Sequence, residues 1–275
     1  MLISVGDRVR RGTYKLHSEF QNALNYIDKN GNLVVLVTKH TGCGPQNIVL
    51  EELKGHDKDL EVSASMIATG AIRVNYTKNI VYNSSFTFDK TGLANTRRHF
   101  EATRKSLLEQ SAKKSLTFLM DKKRKADFKG IFEKHLIARI SGGIKDIFSG
   151  NMAKGLCAIE GAGFGLTPSG DDFTAGLLVG LNLLNKAETG KIGAVIDRII
   201  KNSRVTNPLT KNFLKMASQG RVCERLKNLI SAMRKTKHED IKSALGRYCG
   251  IGETSGADFL TGFIMTLKHG EAICR

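Results

Sequence analysis

The chain has 275 residues, of which 41% are hydrophobic and 25% charged, with three prolines and no tryptophan. That length holds one large domain or two small ones with a real core, and the composition excludes global disorder. A formal net charge of +17 favours anionic partners such as phosphates, carboxylates or acidic protein faces, while few aromatics and no zinc-finger or RNP-like spacing argue against nucleic acid.

The first ninety residues read as β-rich. NLVVLVT (32–38) is a buried-strand candidate between turn signals, and NIVL (47–50), SMIATGAIRV (65–74), NIVYN (79–83) and SFTFD (85–89) are short, β-branched or aromatic runs separated by polar turns. From Leu93 the pattern changes to apolar residues at helical spacing with basic faces. Beyond Phe128 the segments 131–140, 171–187, 193–203, 209–219, 222–235, 239–249 and 257–270 read as helices punctuated by Gly, Ser-Gly or Asn-Pro. The fold class expected is α+β. A small N-terminal antiparallel β domain, barrel or sandwich, spans 1–92, a helical connector follows over 93–130, and a mostly helical domain covers 131–275.

The basic excess is concentrated. Residues 97–139 carry 13 Lys/Arg against 5 Asp/Glu, and residues 186–247 carry 15 against 5. A solvated basic helical surface accounts for this. Five scattered cysteines without a CxxC pair read as reduced thiols. The N-terminus lacks the apolar core of a signal peptide, and the longest apolar run, Phe173 to Leu184, is too short to span a bilayer. The expectation is a soluble cytoplasmic protein with no membrane contact.

One segment occurs twice. GFGLTPSGDDFTAG (163–176) and GETSGADFLTG (252–262) share Gly, Thr, Ser-Gly, Asp-Phe and a Gly four residues after that Asp. Each copy has Ser-Gly-x-Asp ahead of an apolar helical run, which is a capping-box pattern with Asp in the usual Glu position. Capping alone would explain Ser169, Asp172, Ser255 and Asp258. It does not explain the alternating Gly161, Gly163 and Gly165, which suit a turn where backbone amides approach an anion at a helix N-terminus. Thr167 and Ser169 add hydroxyl donors there, and Asp171 and Asp172 add carboxylates that would hold a divalent cation or orient a substrate NH2 group. The spacing is neither a P-loop nor a dinucleotide fingerprint. Two such turns, 87 residues apart when counted from Gly165 to Gly252, would form one site if their helices pack with N-termini together.

With these residues in view the chain resembles the AllH family, whose hallmark GxGLTPSGDDxxxG is matched by residues 163–176 and whose later Gly-x-Thr-Ser-Gly-x-Asp segment is matched by Gly252 to Asp258. TGCGPQNIVL (41–50) and RVTNPLTKNFLKMASQG (204–220) are weaker likenesses to other family segments, and 93–130 resembles none. The resemblance implies a subunit of oxamate carbamoyltransferase in anaerobic allantoin breakdown, which converts oxalurate and phosphate into oxamate and carbamoyl phosphate. It implies further subunits, one similar to acyl-CoA synthetases.

Under that reading Gly163, Gly165, Thr167, Ser169 and Gly170, with Thr254, Ser255 and Gly256, are the candidate substrate-binding residues. Asp171, Asp172 and Asp258 are the candidate catalytic ones, Asp171 being the carboxylate without a counterpart in the second copy. Arg204 and Thr206, at a helix break, are further binding candidates. The seven histidines show no metal-ligand spacing, so no metal is expected from them. No cofactor is specified, and Mg2+ between the aspartates is an alternative tied to a phosphotransferase activity. A further alternative is a non-catalytic anion-binding or regulatory subunit that docks an acidic partner.

Overall fold

The computed structural model describes residues 1–163, 166–187, 192–235 and 238–273. These form two compact units, one from 1–85 with 221–224 and the other from 86–220 with 225–275.

The first unit is a single nine-stranded sheet. Its strands are β1 (Leu2–Gly6), β2 (Gly12–Phe20), β3 (Ala23–Ile27), β4 (Leu33–Thr38), β5 (Asn47–Leu50), β6 (Asp59–Val62), β7 (Met66–Thr69), β8 (Ile72–Asn75) and β9 (Val81–Tyr82). Their spatial order is β8-β7-β6-β2-β3-β4-β5-β1-β9. Most pairs are antiparallel, while β4/β5 and β1/β9 run parallel. The β7–β8 hairpin turns on Gly70 at φ +54, a conformation that two-residue hairpin loops require and side chains resist. Asp28 closes the β3–β4 turn by accepting from the Asn32 side chain and from the backbone amides of Asn32 and Asn30, and against the effect of burial those bonds hold its carboxyl below the usual range.

Side chains from seven of the strands, among them Tyr14, Tyr26, Leu36, Ile48, Leu60 and Ile67, meet in one buried cluster. Strands remote from one another in the sheet order share this core, so the sheet is curled around it. Residues 221–224 return to this unit. There the Val222 amide donates to the Ser84 carbonyl at 3.0 Å and the Glu224 amide to the Cys43 carbonyl at 2.9 Å.

The second unit is helical, with α1 (Lys90–Arg98), α2 (Phe100–Gln110), α3 (Ile131–Phe148), α4 (Met152–Ile159), α5 (Ser169–Ala187), α6 (Ile192–Asn202), α7 (Pro208–Ser218), α8 (Glu224–Lys235), α9 (His238–Cys249) and α10 (Ser255–Ile273). Two short 3-10 turns, Leu116–Leu119 and Lys122–Asp127, separate α2 from α3. Residues 85–89, expected as a strand, form none. Phe86 and Phe88 are buried, and Asp89 caps α1 by accepting from the Gly92 amide at 2.7 Å.

The helix pair α5/α10 is the centre of this unit. Every residue from Gly170 to Leu181 in α5 and from Gly256 to Ile264 in α10 is buried, as befits helices apolar on all sides. Glycines let the two backbones touch. A methyl on Gly176 would lie 2.0 Å from the Phe259 carbonyl oxygen, and one on Gly262 would lie 2.1 Å from the Phe173 carbonyl oxygen. Because Phe173 and Gly176 occupy the same places in one motif copy as Phe259 and Gly262 in the other, these contacts are reciprocal. They are the self-complementary contacts of a two-fold interface, made here within one chain. Lower down, Gly180 meets Thr266 and Gly270 meets Leu184, so the helices run side by side in the same direction with their N-termini together.

Candidate functional site

The N-terminal ends of α5 and α10 bring the two motif copies into contact. Thr167 Oγ1 lies 3.4 Å from Ser255 Oγ. The capping boxes expected within each copy do not form. The amides of Asp172 and Asp258 donate instead to the carbonyls of Pro168, at 3.0 Å, and Thr254, at 2.8 Å. The aspartate side chains cross over. The Ser255 hydroxyl faces the Asp172 carboxyl and the Ser169 hydroxyl faces the Asp258 carboxyl, each stabilising the charged form of the acid on the other helix. Thr167 donates to Asp172 Oδ2 at 3.2 Å. The Leu116 amide donates to Asp258 Oδ1 at 2.6 Å, and Thr254 also faces that carboxyl. No donor among the described residues closes on Asp258 Oδ2, so a fully buried oxygen is left without a partner.

Burial dominates the electrostatics. Asp171, Asp172 and Asp258 are 3%, 2% and 0% exposed. Desolvation pushes Asp172 up to about 8, helped by the neighbouring charge of Asp258, against the hydroxyls of Ser255 and Thr167. Burial likewise raises Asp171 and Asp258, each to about 6. Both carboxyls are thereby biased toward the protonated form, Asp172 the more strongly. Two interacting carboxyls whose surroundings push their titrations apart are equipped to move a proton.

The remaining candidates fall around this pair. Asp171 does not join Asp172 at one point: its Oδ1 accepts from the Gly161 amide at 3.0 Å, which ties down the glycine turn. Gly163 sits at φ +126 with its backbone against Ser169, where an added side chain would strike the Ser169 amide at 2.5 Å. Gly170 presses on the Ile159 carbonyl and Gly256 on the Tyr248 carbonyl. Their amides are already used, Gly170 on Ala162 at 2.8 Å and Gly256 on Ile251 at 3.0 Å, so these two glycines offer close packing rather than amides to an anion. Gly165 lies outside the described residues. Donors at the surface of the site are the part-exposed hydroxyls of Thr167, Ser169, Thr254 and Ser255.

Arg204 and Thr206 are exposed on a loop that Glu160 and Asn207 fasten beside the turn. Glu160 Oε1 accepts from the Arg204 amide at 2.6 Å, and Asn207 Nδ2 donates to the Leu166 carbonyl at 3.3 Å. The Arg204 guanidinium reaches Cys157 Sγ at 3.9 Å rather than the carboxyl pair. Among the described residues no three His, Cys, Asp or Glu side chains are grouped to hold a metal ion, and no helix is long and apolar enough to cross a membrane. Two contributors escaped the sequence reading. The Leu116 amide carries no side-chain signature. Glu160 is marked only as an acid ahead of the glycine turn.

The sequence model of the family described as "Oxamate carbamoyltransferase subunit AllH" matches residues 159–267. Over those residues the chain is similar to the AllH family. The AllH match takes in both motif copies, all of α5 through α9 and most of α10, and leaves out the nine β-strands and α1 to α3. Neither a curated protein nor a solved structure matches the chain.

Proposed function

We propose that this chain is a subunit of a carbamoyl-transfer enzyme and that it holds a small anion bearing an amide or ureido group where α5 and α10 begin. The observation that carries this reading is the crossed arrangement of hydroxyls and carboxyls, in which Ser169 faces Asp258 and Ser255 faces Asp172. Capping would need each aspartate to serve its own helix. A crossed pair with an unsatisfied carboxylate oxygen suits a ligand that supplies N–H donors. The AllH description supports the reaction class, and its being a subunit description supports partner chains.

The chemistry follows from the protonation states. In carbamoyl transfer from oxalurate, a phosphate oxygen forms a bond to the carbamoyl carbon, the C–N bond breaks, and the electron pair goes to the oxamate nitrogen, which takes a proton. Phosphate loses one proton in the same event, so the reaction needs a relay rather than a net acid. Asp172, neutral at pH 7, gives its proton to the departing nitrogen and recovers one from phosphate. Its neutrality also removes one charge that would repel anionic substrates. Asp258 Oδ2 accepts from the substrate NH2 group, and the hydroxyls of Thr167 and Ser255 donate to substrate oxygens. Asp171 acts as a positioning residue through Gly161.

Thermal unfolding of the chain with oxamate or carbamoyl phosphate tests this. A ligand at a hundred times its Kd adds about 2.7 kcal/mol, and Ser255→Ala and Asp172→Asn are each expected to diminish the shift. An undiminished shift in both variants would put the ligand elsewhere. No shift with either compound, for the chain alone and with its co-purified partners, would sink the reading.

A further inference from the structure

Beside Ser169 the second unit contains a cavity of about 70 Å3. Its wall is apolar, made by Leu116, Phe118, Phe128, Leu136, Ile137 and Ile140, and Gly163 and Ser169 of the first motif copy also line it. Phe118 and Phe128 meet edge to face at 5.4 Å and brace one side. Among the described residues, the charged ones that line it are Lys114 and Glu133, which pair with each other at 2.7 Å. Protein interiors rarely leave space unfilled, and an apolar void is a poor host for water. Its size admits roughly four to five groups as large as a water or a methylene.

The cavity is joined to the carboxyl pair through a single stretch of chain. Leu116 lines it with its side chain while its amide holds Asp258 Oδ1 at 2.6 Å. Ser169 lines it and faces the same carboxyl. A ligand whose amide end met the Ser169 hydroxyl would therefore have apolar space beside it. Oxamate and oxalurate carry nothing that would fill that space.

The geometry points to a specificity pocket built by residues 114–140, and to a ligand that is a small amide or ureido compound bearing a short apolar arm of about four carbons. This inference rests on the reading that the Asp172/Asp258 site binds an amide or ureido group, and adds to it the class of side group that the ligand carries. The segment responsible lies outside the region that matches the AllH family, which is where a difference in substrate within one chemistry would be built.

The test is a protein-observed methyl NMR titration of the wild-type chain with a series of primary amides from acetamide to hexanamide. Each buried methylene should tighten binding about fourfold, up to four or five carbons, after which the gain should stop. The methyl resonances of Ile137 and Ile140 should shift with the longer members only. In Ile137→Phe, which fills the pocket, the gain with length should vanish while acetamide binds as before. If that variant fails to fold, the isoleucine shifts in wild type decide. Acetamide binding that Asp172→Asn abolishes, without any dependence on length, would overturn the pocket and leave the site standing. A gain with length that persists in folded Ile137→Phe, or that leaves both isoleucines unmoved, would also overturn the pocket. Failure of every amide to bind would overturn both.

Discussion

Replacing Gly176 with alanine tests the contact on which the site is built. The added methyl would stand 2.0 Å from the Phe259 carbonyl oxygen, 2.9 Å from its carbonyl carbon and 2.8 Å from the Phe263 amide nitrogen, all of them backbone atoms. No rotamer relieves this, because the obstacle is the opposite helix itself. α5 and α10 would have to separate by about an ångström merely to reach the 3.0 Å within which real Cβ atoms are essentially never found. Alanine gains about 0.8–1 kcal/mol over glycine from helix propensity, while forced overpacking usually costs about 1–3 kcal/mol and here falls at or above the upper end. The net loss expected is about 2 kcal/mol or more, a fall of roughly 4–8 °C in Tm for a unit of this size. Calorimetric melting of Gly176→Ala beside Gly142→Ala makes the measurement self-calibrating. Gly142 lies on the exposed side of α3 with nothing within 4 Å of the added methyl, so there the same substitution should stabilise by about 0.5–1 kcal/mol. If Gly176→Ala melts with wild type or above it, the two helices do not touch as described and the convergence of the motifs loses its basis.

Other expectations follow from the same geometry. Asp172 titrates at about 8 when folded and near 3.8 when unfolded, so the folded state holds the extra proton. Its contribution to stability is fully present below the unfolded value and is lost as pH rises through about 8. Between pH 6 and 8 Asp172→Asn should flatten the decline by on the order of 2 kcal/mol; parallel pH profiles in urea titrations would contradict the shift. Ser169→Ala and Ser255→Ala should each destabilise by about 1–3 kcal/mol and by similar amounts, because each leaves a buried carboxyl on the opposite helix short of a donor; a large inequality in chemical denaturation would deny the two-fold relation. In the sheet unit, Tyr26→Phe should cost about 1–2 kcal/mol, since it removes the hydroxyl that donates to the Asp57 carbonyl at 2.6 Å, and a melt unchanged within error would refute that role.

Much of the helical architecture is legible in the sequence because the apolar period and the Gly and Asn-Pro breaks coincide. The expected helix at 209–219 is α7, and the one at 171–187 begins two residues earlier as α5. The alternation in SFTFD misleads because Phe86 and Phe88 alternate into a helical core rather than a sheet face. Short strands such as β6, with four residues between polar turns, carry too little pattern to be seen, and α4 is hidden in a stretch interrupted by Gly155, which packs on Gly143. The meeting of the two motif copies was legible in the repeated glycine four residues after each aspartate, since only a close helix crossing needs it. Which aspartate serves which serine was not, because a crossed pair and two capping boxes share one sequence. The support that Leu116 gives Asp258 was invisible for a plainer reason: a backbone amide leaves no mark in composition or spacing.

Isothermal titration of the chain with oxamate from about pH 6 to about pH 9 addresses the central claim most directly, since the oxamate carboxylate does not change charge in that range. If a neutral Asp172 receives the ligand, affinity should hold up to about pH 8 and then fall toward tenfold per pH unit, and in Asp172→Asn the fall should disappear. Affinity that is independent of pH in wild type, or a fall that survives in Asp172→Asn, would contradict the account.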